Sequence, residues 1–313
     1  MRRLLTVGLA PCGLFVTSLW SLLRAGSFTG RSDWGRVVPV TPGATAGNLL
    51  LLIACASVLA LLLQPFQVRA VRVLEGYWDR WPVTARLAGA LMELQRRRRQ
   101  ALRGRAEGRA GADADARRVA ADAFRRMAAA APEDVLLPTA LGNALRAGEL
   151  SAGERYGLET LSSWPRIHLQ VSDRLAQVLH SARTALDTSA NLCWSFLACA
   201  VLTSTALYDE PGVRWLPVAA VLLAAVAYKG AVTAAQAYSG LMHVVYDLHR
   251  FDLLEALHHP LPDRRGEVET FWRVSESFAG RDENGLPYEH SRGPLMSRRG
   301  GSGPGDADAA AET

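Results

Sequence analysis

Apolar residues along this chain gather in four long runs, which are separated by strongly charged stretches. The runs cover about residues 4–23, 47–63, 190–208 and 213–233, and the last two are joined by the tight turn "DEPG". Each run approaches the roughly 20 residues that a helix needs to cross the hydrocarbon core of a bilayer. The pattern predicts an all-α integral membrane protein with four transmembrane helices and a cytoplasmic helical domain.

The runs divide the chain into five predicted parts. These are an N-terminal membrane hairpin (1–63), a cytoplasmic helical domain (64–189), a second membrane hairpin (190–239), a cytoplasmic helical tail (240–294) and a low-complexity, disordered end (295–313).

The basic residues predict the orientation of these spans. Most of them lie before the first run, between the second and third runs, or after the fourth run, and basic loops favour the cytoplasmic side. Of the 35 basic residues all but Lys229 are arginine, which together with abundant alanine is typical of a GC-rich bacterial genome. We therefore expect a protein of the bacterial cytoplasmic membrane with both termini in the cytoplasm.

The stretch after the second run predicts an amphipathic helix over 66–81 with aromatic residues on its apolar face. Tyrosine and tryptophan favour the depth of the membrane interface, and the long stem of a lysine near a span end reaches the headgroups. The residues expected at the membrane interface are Tyr77, Trp78, Trp81, Arg69, Arg72 and Lys229.

A strip of small residues follows one face of the fourth run at a spacing of four: Ala227, Ala231, Ala235 and Ser239. Small side chains let helix backbones approach closely, so the strip predicts helix packing. Packing within the chain and packing between copies both fit the pattern.

The polar segments also show helical periodicity. A helix is expected over 152–163, ended by "WPR" at 164–166, and another from Ile167 that runs into the third span. Within this second helix a short apolar seam is predicted at Val171, Leu175, Val178, Ala182 and Ala185. After the fourth span the helix is expected to continue to Pro260, and Asp263 is a candidate cap for a last helix.

The arginine run at 96–99 fits a solvated helix face, and anionic lipid or nucleic acid are alternatives. Because no aromatic residues interleave with the run, and because the net charge of +5 is accounted for by cytoplasmic loops, no nucleic-acid partner is expected. The expected partners are the lipid bilayer and either another protein or further copies of the chain.

Motifs that carry chemistry are sparse. The sequence has no "GxSxG", "HExxH" or "CxxC", and its four cysteines all lie in the apolar runs. Glu255 and His258 have the E-x-x-H spacing of di-iron bundles, but a second such motif is absent. His243, Asp247 and Arg250 fit a structural polar ladder better than a proton relay. We therefore expect no metal, no cofactor and no catalytic residue, and an enzyme is the least favoured class.

The segments "LEGYW", "LPTALGNALRAGE", "RYGLETLSSWPR" and "YDLHRFDLLEAL" resemble a family of uncharacterised multi-pass membrane proteins from actinobacteria such as streptomycetes. The resemblance covers the chain from the second run to Phe278. It implies the membrane architecture and carries over no catalytic residue.

These observations favour a membrane-anchored interaction or regulatory component. The alternative is an oligomeric channel or transport-associated protein, since four spans with few polar faces enclose little space by themselves.

Overall fold

A computed structural model describes residues 4–38, 41–78, 82–107, 113–128 and 130–282. Within these residues all regular structure is helical, as predicted. The predicted interface residue Trp81 and the predicted disordered end, 295–313, lie outside the described residues.

The described residues form ten α-helices, which follow one another along the chain. A π-helical turn, Leu4–Leu9, leads into the first of them. The helices are α1 (Ala10–Ala25), α2 (Pro42–Leu63), α3 (Gln67–Glu75), α4 (Pro82–Glu107), α5 (Ala114–Ala128), α6 (Ala140–Glu149), α7 (Thr160–Ile167), α8 (Asp173–Ala206), α9 (Trp215–Ala256) and α10 (Glu267–Phe278).

Four of the helical segments are long and apolar enough to cross a membrane: Val7–Ala25, Pro42–Glu75, Asp173–Ala206 and Pro211–Ala256. Each of them contains most or all of one predicted run, and the last three extend beyond it. The prediction that the third and fourth runs continue as unbroken helices into polar sequence is confirmed, since α8 has 34 residues and α9 has 42. The predicted bounds differ: α8 begins at Asp173 and not at Ile167, because Val171 is extended, and α9 ends at Ala256 and not at Pro260. We refer to the apolar parts of α1, α2, α8 and α9 as the apolar bundle. The polar parts of α8 and α9 and the remaining helices are called the polar layer.

The two short connections of the apolar bundle meet at one end. The backbone N–H of Ser32, between α1 and α2, donates to Glu210 Oε1 between α8 and α9 at 2.6 Å. Leu22 packs there against Ala206 and Leu207. The polar layer lies at the opposite end, so the chain enters and leaves the apolar bundle from the same side.

The helix α2 is the outermost of the four long helices. Ala56 is the single buried residue among its 22 residues, while the rest of its apolar side chains are exposed or half-exposed. Removing apolar surface from water is favourable by about 25 cal/mol per Å². An apolar helix of this length that other helices leave uncovered is therefore more stable in lipid than in water.

The core of the polar layer forms around the C-terminal half of α9. Tyr246, Phe271 and Ile167 are fully buried in this core, to which α7, α9 and α10 contribute. A second cluster joins α3, α6, α8 and α9 nearer the apolar bundle, and Val71, Leu141 and Leu186 are buried in it.

Several local predictions differ from the structure. Asp263 does not cap the last helix, because α10 begins at Glu267 with Gly266 at its N-cap position. The amphipathic helix ends at Glu75 and not at residue 81, because Gly76 adopts a left-handed φ of 96° and its N–H turns back to the carbonyls of Arg72 and Val73. Glycine adopts this conformation without a steric cost, which is why it so often ends helices.

The predicted helix over 152–163 is replaced by a short 3-10 turn, Glu154–Tyr156, and by α7. The "WPR" segment lies inside α7 and does not end it. Pro165 has no N–H to donate to the carbonyl of Leu161 four residues earlier, and Leu161 lies on the exposed side of α7.

The predicted seam on α8 is displaced. Val178 is 46% exposed and Ala185 is also exposed, whereas Leu179 and Leu186 are buried. The partners of α8 approach from a slightly different direction, which the repeat of its own residues does not specify.

Candidate functional site

The residues predicted at the membrane interface lie around the junction of the apolar bundle and the polar layer. Arg69, Arg72, Tyr77 and Lys229 are exposed there. Trp78 is half-buried, and its indole N–H donates to the carbonyl of Val73 at 2.7 Å, so its polar tip is satisfied within α3. Trp81 is not among the described residues.

The predicted packing strip on α9 is used within the chain. Ala231, Ala235 and Ser239 are buried and Ala227 is half-buried. Ser239 Oγ donates to the carbonyl of Ala144 in α6 at 2.5 Å. At Gly148, a Cβ would lie only 2.8 Å from the Cα of Ser239. The small residues therefore allow α6 to pack closely against α9.

A cavity of about 450 Å³ lies at this junction, between the start of α1, the α2–α3 corner and α8. Most of its wall is apolar and includes Val7, Ala60 and Phe66. Its polar groups are amides and a hydroxyl, contributed by Gln64, Gln67, Asn191 and Ser195. The combination of an apolar wall with a few polar groups is typical of small-molecule and lipid sites.

The π-helical turn before α1 forms one wall of the cavity. Asn191 Nδ2 donates to the carbonyl of Val7 at 2.9 Å and thereby joins this turn to α8. On the adjacent wall the indole N–H of Trp194 donates to the carbonyl of Ala70 at 3.2 Å. The sequence does not predict this cavity, and its one local sign is the presence of amide side chains at the ends of two apolar runs.

A charged cluster lies directly below the apolar bundle, where α3, α6 and α8 meet. Glu75 interacts electrostatically with Glu149, Arg183 and Arg146. Burial raises the pKa of the Glu149 carboxyl above its ordinary value, and Arg183 and Arg146 partly offset this rise. Arg183 also pairs with the buried Asp187 at 3.4 Å. The cluster places ionisable groups at the contact between the two parts of the molecule.

The predicted ladder on α9 is part of a network that joins α9 to the rest of the polar layer. Asp247 accepts from the hydroxyl of Tyr156 at 2.6 Å and pairs with Arg155 at 3.2 Å. Arg250 pairs with Glu267 at 2.8 Å, and His243 contacts Ser151 at 3.1 Å. These contacts fix the helices relative to one another, in agreement with the structural interpretation of the ladder.

The E-x-x-H spacing does not produce a helical metal-ligand pair. The helix α9 ends at Ala256, and His258 lies beyond it with a left-handed φ of 53°. Glu255 and His258 therefore do not share a helix face. In the described part of the chain, no group of three or more histidine, cysteine, aspartate or glutamate residues is arranged to hold a metal ion.

A basic arm formed by α4 and α5 projects from the polar layer. The segment 82–128 contains twelve arginines and five acidic residues, a net charge of +7, so the remainder of the chain has a net charge of −2. The two helices pack through alanines, including Ala88, Ala120 and Ala123, which are buried. The arm contacts the rest of the polar layer where Arg99 donates to the carbonyl of Ala131 and Gln95 to that of Pro138.

The acidic residues of the basic arm pair within their own helices. Arg97 pairs with Glu93, and both Arg125 and Arg126 approach Asp122, all on exposed surface. Among the described residues, Arg96, Arg98, Arg105 and Arg117 have no carboxylate within ion-pair distance. The apolar side chains of Val119 and Phe124, more than half exposed, lie on the same arm.

Comparisons with protein-family models, with curated proteins and with solved structures found no match. The functional interpretation therefore depends on the geometry of the chain itself.

Proposed function

We propose that this chain is a membrane-anchored interaction component, which spans the bacterial cytoplasmic membrane four times and presents the basic arm to a protein partner in the cytoplasm. The observation that carries the proposal is the concentration of the entire basic excess on one arm that also exposes Val119 and Phe124. Arginine together with an exposed aromatic residue is typical of the anchor positions in protein interfaces.

The position of the basic arm relative to the predicted spans favours a protein, and not the membrane surface, as its partner. Phe124 and Met127 line the same small cavity as Ser151, which contacts His243. His243 follows the predicted end of the fourth span, residue 233, by ten residues, or about 15 Å along a helix. This places the base of the arm beyond the predicted end of the hydrocarbon core, where salt weakens the attraction of anionic headgroups.

The expected partner has an acidic face with an apolar pocket at its centre. Each exposed arginine contributes modestly to such a contact, while Phe124 supplies apolar area. The rigid continuity of α8 and α9 would couple a partner bound at the polar layer to the apolar bundle.

Two observations favour this proposal over an oligomeric channel. The small-residue strip that would let copies pack closely is occupied by α6 and α8 of the same chain. In addition, several hydroxyls of the apolar bundle that could line a pore bond instead to carbonyls of their own helix, as those of Ser18, Thr203 and Thr233 do.

The proposal is tested by placing a photoreactive phenylalanine analogue at Phe124 in the full-length protein in native membranes. The control carries the analogue at Leu169, which is 80% exposed in the polar layer outside the arm. We expect one reproducible protein adduct from position 124 and none of the same mass from position 169.

A matched charge series identifies the role of the arginines. Replacing Arg96, Arg98 and Arg105 by glutamine is expected to remove the adduct, whereas the same change at Arg174, Arg264 and Arg265 is expected to leave it intact. All six arginines are exposed, so both triple variants should fold. Adducts with lipid alone, or with further copies of this chain, would contradict the proposal.

A further inference from the structure

The cavity beside the π-helical turn lies at the depth where the apolar runs end. Gln64 and Asn191, which line it, each lie within one residue of a predicted span end, at 63 and 190. A cavity at this depth borders both the hydrocarbon core and the headgroup layer.

The wall of the cavity likewise has an apolar part and a polar part. Val7, Pro11 and Leu63 form an apolar surface, whereas Gln64, Gln67 and Asn191 supply amides. The volume of about 450 Å³ falls within the range of sites that hold a small organic ligand, and is far larger than the space of a single water molecule.

The positive charge beside the cavity favours a lipid with a negatively charged headgroup. Arg69 lies between Val68 and Ala70, both of which line the cavity, and its side chain is exposed. Arg72 lies one helical turn further along α3, and it too is exposed. Basic groups beside an intramembrane groove on the cytoplasmic side favour lipids with an anionic headgroup.

We propose that this cavity binds one acyl chain of an anionic phospholipid, with the lipid phosphate at Arg69. The apolar wall contacts the chain, the amides contact the ester region, and the arginine neutralises the headgroup. Because α2 packs so little against the other helices, the lipid would also connect the α2–α3 corner to α8. This site is separate from the basic arm, and it rests only on the membrane-spanning part of the proposed function.

The test uses the full-length protein in nanodiscs of phosphatidylcholine that contain a phosphatidylglycerol with a photoactivatable diazirine in its acyl chain. After illumination, mass spectrometry locates the adducts. We expect them to concentrate on residues that line the cavity, such as Ala60 and Ser195, over exposed apolar residues of α9 such as Leu222 and Val226.

Two matched variants distinguish the cavity from the general lipid-facing surface. Ser195→Trp fills the cavity, while Ser204→Trp adds the same side chain to an exposed position of the same helix. We expect the first to abolish labelling of the cavity and the second to leave it unchanged. Gln67→Trp fills the cavity from α3 and is expected to act like Ser195→Trp, so the test remains decisive if one variant does not fold.

The headgroup is tested with Arg69→Gln. Labelling by the phosphatidylglycerol probe is expected to fall about fivefold, as for the loss of one arginine near an anionic surface. Labelling by a phosphatidylcholine probe with the same acyl chain should not change. Uniform labelling of all apolar surfaces, labelling that survives both cavity-filling variants, or cross-linking of a second copy through Phe66 would overturn the proposal.

Discussion

Replacing Gly142 by alanine is expected to destabilise the protein, because α6 approaches the end of α3 at this residue. A Cβ at Gly142 would lie 2.1 Å from the carbonyl oxygen of Glu75 and 2.6 Å from Leu137 Cδ1. The nearest obstacle is backbone, so it cannot rotate away as a flexible side chain would.

The same substitution disturbs the cap of α6. Thr139 Oγ1 donates to the carbonyl of Glu75 at 2.7 Å and accepts from the N–H of Gly142 at 3.1 Å. A methyl group at Gly142 would push α3 away and lengthen the hydrogen bond from Thr139 Oγ1 to the carbonyl of Glu75. That bond positions the hydroxyl that caps α6.

The expected free-energy change follows from three terms. Overpacking costs about 1–3 kcal/mol, a disturbed N-cap costs about 1 kcal/mol, and the better helix propensity of alanine returns about 1 kcal/mol. The net destabilisation is therefore about 1–3 kcal/mol, and at roughly 2–4 °C per kcal/mol the melting temperature should fall by several degrees.

Gly89→Ala provides the control, since Gly89 lies in α4 and a Cβ there meets nothing within 4 Å. Its melting temperature should rise slightly or stay unchanged, because the helix propensity acts alone. Thermal unfolding in detergent, followed by circular dichroism, measures both variants. Equal stability of the two would refute the close approach of α3 and α6.

Two further predictions concern one buried and one half-buried polar group in the polar layer. Tyr246→Phe should lower the free energy of unfolding by about 1–3 kcal/mol, because the hydroxyl of this fully buried residue contacts Ser163 Oγ at 2.8 Å and the carbonyl of Thr160 at 3.1 Å. Tyr208→Phe, at a residue 74% exposed, should leave the melting temperature unchanged in the same thermal assay. Glu149→Gln should reduce the pH dependence of stability: burial raises the pKa of Glu149, so the folded state binds the extra proton and stability falls as the pH rises from about 4.3 through the folded pKa. Melting temperatures measured across this pH range should show a smaller fall for Glu149→Gln than for the parent, and an unchanged fall for Glu255→Gln, where the carboxylate is exposed; an identical pH profile for the parent and Glu149→Gln would contradict the assignment.

The sequence alone determined which segments are long and apolar, and that α8 and α9 run unbroken from apolar into polar residues. Both properties depend on local composition and on the absence of helix-ending residues, so they are visible without knowledge of the neighbours. The end of α3 was also encoded locally, because Gly76 occupies the position at which a left-handed residue closes a helix.

Tertiary structure decided which faces of these helices are covered. The small residues of α9 fit packing within the chain and packing between copies equally well. The contact of α6 with α9, where Gly148 lies against Ser239, shows that the strip packs within the chain. The buried face of α8 likewise depends on the direction from which α9 packs against it, which places Leu179 and Leu186 inside and leaves Val178 exposed. The interfacial cavity arises from residues far apart in sequence, Val7 and Asn191 among them, whose proximity follows from how the helices assemble and not from any local repeat.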